Sequence, residues 1–129
     1  MTSFWKKKIV KVFYDFSEEL PFADGVFSVE GRRKLHSKLC ELGSGDFAAI
    51  FTSDPFVLTI GCLNGRPYLI DTHPVTLRPG NGNGLVMIGK GNSTDVWMTL
   101  CCWLWKRLFL GGVKEETGQS LAVVTPRTQ

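Results

Sequence analysis

Phe56-Val57-Leu58-Thr59-Ile60-Gly61-Cys62-Leu63-Asn64-Gly65-Arg66-Pro67-Tyr68-Leu69-Ile70-Asp71-Thr72-His73-Pro74 decides how this chain folds, because it sets Asn-Gly between two β-prone runs. Both residues of that dipeptide tolerate the positive φ of a type I′ turn, so the stretch predicts a tight β-hairpin. With Asn64 and Gly65 as the turn, Ile60 faces Leu69, Leu58 faces Asp71, and Pro67 faces Cys62 at a strand start, where its missing donor costs least. Side chains two apart on a strand share a face. Leu58, Ile60, Leu69, Asp71 and His73 therefore share one face, and Val57, Thr59, Tyr68, Ile70 and Thr72 the other.

That register puts an acid and an imidazole together at the end of an apolar strand face. Asp71 can hold His73 in one tautomer and leave the other ring nitrogen for proton transfer. Pro74 disfavours the α region for the residue before it and so keeps His73 extended. Asp-x-His is a weak pattern by spacing alone, and a polar strand end accounts for it equally.

Outward from the hairpin, residues 9–15 read as a first strand and 16–30, with Pro21 and Gly25, as a loop. Leu35, Leu39 and Leu42 fall at helical spacing before Gly43, which predicts a helix over 31–42. Its basic start, Arg32-Arg33-Lys34, opposes the helix dipole and reads as a solvated face. Residues 48–52 (Ala-Ala-Ile-Phe-Thr) predict a strand buried on both sides. Residues 77–84 read as a loop and 85–88 as a short strand. Val96, Leu100, Leu104 and Leu108 predict a helix over 95–110, ended by Gly111-Gly112. Residues 1–112 are expected to form a single α+β domain with a sheet flanked by helices, and 113–129 a loosely ordered tail in which Leu121–Val124 can add an edge strand.

The chain has 129 residues, 43% of them hydrophobic, enough for one cored domain. Its net charge of +3 is too close to balance to point to nucleic acid. The apolar run from Trp97 to Trp105 is far shorter than a membrane span needs, and the Lys6-Lys7-Lys8 region lacks the apolar stretch of a signal peptide. No membrane partner is expected, and the Asn92-Ser93-Thr94 sequon is expected to go unused. Four cysteines without a CxxC pair and two histidines give no zinc spacing, so no metal, cofactor or disulfide framework is expected, and a reducing compartment fits.

Ala-Ala-Ile-Phe-Thr (48–52), Gly-Arg-Pro-Tyr-Leu-Ile-Asp-Thr-His-Pro (65–74) and Asn81-Gly-Asn-Gly-Leu85, within residues 47–110, resemble the protease domain of herpesvirus large tegument proteins. Those are papain-like cysteine proteases that remove ubiquitin and ubiquitin-like modifiers. The resemblance implies a papain-like half-domain, makes His73 the general base and Asp71 its orienting acid, and implies ubiquitin or a ubiquitin-like protein as a partner. It also implies a host cytoplasmic or nuclear setting, or the virion tegument. This chain departs from the family upstream, where the nucleophilic cysteine and the oxyanion glutamine belong. No cysteine precedes Cys40, and the glutamines are Gln119 and Gln129. The likeness is to the second half of such a domain.

No local cysteine substitutes convincingly. Cys62 lies at the turn end of the hairpin, roughly 20 Å from His73 at about 3.3 Å per residue. Cys40, between Leu39 and Leu42, reads as a small core residue and is a poor candidate nucleophile; Cys101 and Cys102 read as core and flank of the last helix. Trp103 and Trp105, beside Lys106 and Arg107, read mainly as packing and secondarily as a protein-binding face. Two functions follow: part or catalytically incomplete relative of a ubiquitin-directed cysteine protease, or a non-catalytic module binding ubiquitin or another viral or host protein. A third reading treats Asp71-Thr72-His73 as a coincidence in a small adaptor.

Overall fold

Asn64 (φ 52°) and Gly65 (φ 74°) both adopt the left-handed conformation that the hairpin turn requires. Around that turn the computed structural model describes residues 14–22, 25–73 and 84–126. The element order is β1 (Tyr14–Phe22), α1 (Val29–Leu42), β2 (Phe47–Ser53), β3 (Phe56–Leu63), β4 (Arg66–Asp71), β5 (Leu85–Ile88), α2 (Thr94–Leu110) and β6 (Gln119–Pro126). The strands form one six-stranded sheet in the order β1-β6-β2-β3-β4-β5. Every pairing in it is antiparallel. The hairpin register is the expected one: Leu58 faces Asp71, Ile60 faces Leu69 and Cys62 faces Pro67.

One sheet face carries the core. Phe47, Ala49, Phe51, Leu58, Ile60, Leu69, Leu121 and Val123 are buried from the sheet side, and Leu35, Leu39, Trp97, Leu100, Leu104 and Leu108 from the helices. β2 is therefore not buried on both sides as expected. Its alternate residues turn outward, Ile50 being 39% exposed, because both described helices pack on one face. Val57, Val86 and Ile88 are likewise exposed on the outer face.

Each helix begins on a serine. Ser28 accepts a hydrogen bond from the Gly31 N–H (2.8 Å), and Ser93 from the Val96 N–H (3.3 Å). The basic start of α1 is not wholly a solvated face. Arg32 donates to the carbonyls of Val26 (2.8 Å) and Phe27 (3.2 Å), and its guanidinium lies 4.7 Å over the Trp105 ring, which fastens the turn before α1 to α2. Arg33, by contrast, makes only an exposed pair with Glu30. Asn92 fastens the other ends: its amide donates to the Gly43 carbonyl (2.6 Å) and accepts from Trp97 Nε1 (2.7 Å).

Both ends of the chain differ from expectation. Of the strand expected over 9–15, residues 9–13 lie outside the described residues, as do 77–83 of the expected loop. Residues 14–15, expected in that strand, and 16–22, expected in a loop, together form β1, which runs through Pro21 along β6 from Tyr14↔Pro126 to Phe22↔Gln119. Pro is tolerated there because β1 is an edge strand. The expected loose tail is corrected as well. Residues 119–126 form β6, an interior strand rather than an edge one, with β1 on one side and β2 on the other. Its alternation carries the reason: Leu121 (0% exposed) and Val123 (1%) point into the core. No described helix is long and apolar enough to cross a membrane. Replacing Leu121 with alanine should cost about 2–5 kcal/mol in urea unfolding, as core truncations do; a change within about 0.5 kcal/mol would return this segment to the surface.

Candidate active site

β4 ends at Asp71 on the helix-covered face, and its side chain is 0% exposed. A carboxylate that is buried must be paired or hydrogen-bonded, since losing its hydration costs several kcal/mol. Asp71 meets that demand with both oxygens. Oδ2 accepts from Arg107 Nε at 2.8 Å, and Oδ1 accepts from the His73 backbone N–H at 2.9 Å and lies 3.2 Å from His73 Nδ1. The carboxylate accepts, so Nδ1 is the protonated nitrogen and Nε2 keeps its lone pair. No hydrogen-bond partner meets Nε2 among the described residues, and the His73 side chain is about a third exposed (32%).

Phe56 braces the pair. Its ring lies 4.9 Å from the His73 ring at 58°, with the Arg107 guanidinium 4.8 Å over it. Gly111, just past α2, makes room for that ring: a Cβ there would sit 2.6 Å from Phe56 Cζ. The hairpin supplies the acid, the histidine and the aromatic, and the last turn of α2 supplies the cation. Asp71 and His73 thus come together as the register predicts.

Arg107 and Phe56 are partners that sequence reasoning missed. A signal for Arg107 was present. It interrupts the apolar stripe Leu100, Leu104, Leu108 and is itself only 6% exposed. A buried arginine on a core-facing helix stripe and a buried aspartate on a core-facing strand predict each other.

None of the four free cysteines is placed to serve His73. Cys62 pairs with Pro67 at the turn end, opposite Asp71, and burial, then the charge of Asp46, pushes its thiol up. Burial pushes Cys101 up to about 12, with smaller contributions from Cys102 and Cys40 opposed by Arg32. Cys40 is also raised by burial. Its Sγ lies 3.5 Å from His36 Nε2, but that nitrogen is also 2.8 Å from the Thr94 carbonyl oxygen. A carbonyl only accepts, so the nitrogen nearest the sulfur carries a proton and offers no lone pair to take one. Cys102 neighbours Cys101 on α2, five and six residues ahead of Arg107 respectively, on the stretch leading away from the His73 end. Among the described residues no group of three or more His, Cys, Asp or Glu side chains is arranged to hold a metal.

No protein-family model matches the chain, and no curated protein does. Two solved structures share its fold. The ubiquitin-specific protease encoded by murine cytomegalovirus tegument protein M48, solved with a ubiquitin-based suicide substrate, superposes with a TM-score of 0.53 at 11% identity over 92% of this chain and 49% of its own. The Pseudomonas avirulence protein AvrPphB superposes with a TM-score of 0.51 at 10% identity over 85% of this chain and 53% of its own. At these identities the likeness is one of fold: an α+β arrangement matching papain-like proteases. The chain spans about half the length of each.

Removing the Asp71 carboxylate takes an ion-pair partner from a buried guanidinium. Asp71→Ala should therefore cost about 3–5 kcal/mol in chemical denaturation, while the double replacement Asp71→Leu/Arg107→Leu should recover most of it. A single-mutant cost below about 1 kcal/mol would mean that the pair is not holding α2 to the hairpin.

Proposed function

We propose that this chain is the base-bearing half of a papain-like cysteine hydrolase acting on ubiquitin or a ubiquitin-like protein, with the nucleophilic thiol supplied by polypeptide outside this chain. One observation carries the reading: His73 Nδ1 is held by a buried carboxylate that Arg107 fixes from behind, and among the described residues nothing bonds Nε2, at a partly exposed position. Two things support it. The fold is shared with a viral ubiquitin-specific protease of about twice the length, and the sequence around Asp71-Thr72-His73 resembles the herpesvirus tegument proteases.

In this mechanism Nε2 takes the proton of an incoming thiol, and the thiolate attacks the carbonyl carbon at the modifier's C-terminus. The imidazolium then returns the proton to the leaving amine as the tetrahedral adduct collapses to a thioester, which water hydrolyses. Asp71 orients the ring throughout. Its charge is already balanced by Arg107, so its part is to fix tautomer and direction more than to add negative potential.

A second reading is that the chain is a non-catalytic module that retains ubiquitin binding. What favours it is the state of the thiols: Cys40, Cys62 and Cys101 are all raised by burial, and Cys62 lies at the far end of the hairpin.

Under the first reading the purified chain alone should form no adduct with a ubiquitin C-terminal electrophile. An adduct lost on Cys40→Ala would place the nucleophile inside the chain and overturn the division of labour. Titration into isotope-labelled ubiquitin should move resonances of its C-terminal tail, and spectra unchanged at millimolar concentration would remove ubiquitin as the substrate.

A further inference from the structure

The two edges of the sheet are built differently. β1, at one edge, carries Pro21 and a register shift between Phe16 and Glu18, devices that stop an edge from pairing with a stranger. β5, at the other edge, is Leu85-Val86-Met87-Ile88, with no proline, no charge and no irregularity in its pairing to β4. Among the described residues no strand pairs with its outer side.

The direction of its free backbone groups follows from one hydrogen bond. Gly89 N–H donates to the Pro67 carbonyl at 2.7 Å, just beyond the Tyr68↔Ile88 pair. Opposed residues in an antiparallel ladder alternate between hydrogen-bonded and non-hydrogen-bonded pairs, so Met87↔Leu69 and Leu85↔Asp71 are the bonded ones. The N–H and C=O groups of Val86 and Ile88 therefore point outward from the sheet edge. An extended chain is the one shape that satisfies such a row.

Beside that edge lies an apolar groove of about 350 Å³, lined by Met87, Val96, Thr99, Leu100 and Trp103, with Lys90 at its rim. Met87 opposes core-facing Leu69. A strand added along β5 would thus send alternate side chains into this groove and the others over exposed Val86 and Ile88. Arg66 stands beside the same end of the edge, and neither Lys90 nor Arg66 has a carboxylate among the residues lining the two hollows they border. A second copy paired through its own β5 would not supply one: from Pro74 to Asn92 the sequence holds Arg78 and Lys90 and no acid.

We propose that the outer edge of β5 is a docking site for an extended segment of another protein, which adds a strand to the sheet, fills the Trp103 groove with an apolar side chain and sets a carboxylate against Lys90. This stands independently of the hydrolase reading, since it involves no group that touches Asp71 or His73 side chains.

Selecting a random-peptide phage library against the full chain, then synthesising the consensus peptide, tests it. The consensus should alternate apolar residues and carry an acid at one end. On binding, the amides of Val86 and Ile88 should gain at least about tenfold protection from hydrogen exchange. Val86→Pro removes one outward donor without touching the β4–β5 ladder, and should weaken the peptide about tenfold or more. Lys90→Glu should weaken it too, and exchanging the peptide's acid for lysine should restore binding to that variant, a readout that holds even if Val86→Pro misfolds. Selection of no peptide, equal binding to Val86→Pro in its folded form, or protection elsewhere would overturn the proposal. So would protection of Val86 and Ile88 that rises with protein concentration without peptide, which would make a second copy the occupant.

Discussion

Asp71 carries a negative charge into a place with no water to solvate it, and the geometry around it follows from neutralising that charge. The hairpin register turns Asp71 toward the core rather than toward solvent, opposite Leu58. The compensating cation has to come from the layer above, and the last turn of α2 brings Arg107 to 2.8 Å. That contact fixes the rotation and depth of α2 on the sheet, since a one-residue slip would swing the guanidinium about 100° off the carboxylate. With one oxygen committed to Arg107, the other is free to hold His73 through both its backbone N–H and its ring. A single buried group thus ties the hairpin, the closing helix and the candidate base into one unit.

Much of this was legible in the sequence where the signals are local. Asn64-Gly65 names its own turn, and the turn sets the register that puts Asp71 and His73 on one face. Leu35 and Leu39, and Leu100, Leu104 and Leu108, mark the core sides of the two helices. What escaped depends on partners far apart in the chain. β1 and β6 exist as strands because they pair with each other, and neither end alone announces this: Pro21 argues against a strand in the first, and the polar surroundings of Leu121–Val124 argue against burial in the second. The one-sided burial of β2 escaped because Ala48–Phe51 is apolar throughout, and only the placement of both described helices on one face leaves Ile50 outward. Arg32 was hidden for a similar reason. Its partners, two turn carbonyls and Trp105, are supplied by tertiary structure.

The placement of charge also bears on what the site can do. A carboxylate shared with arginine holds the imidazole through Nδ1 and the backbone N–H, so orientation is the service the geometry of Asp71 provides. The thiols of Cys40, Cys62 and Cys101, each raised by burial, sit elsewhere in the fold.

Asp71, fixed by Arg107, holds His73 in the Nδ1–H tautomer, and among the described residues nothing bonds Nε2. Long-range proton–nitrogen correlation spectra of the uniformly labelled chain at a pH where His73 is neutral report this directly. A protonated Nδ1 and an unprotonated Nε2 are expected for His73, collapsing to the averaged pattern of free imidazole in Asp71→Asn. An Nε2–H tautomer, or an averaged ring in the unaltered protein, would contradict it.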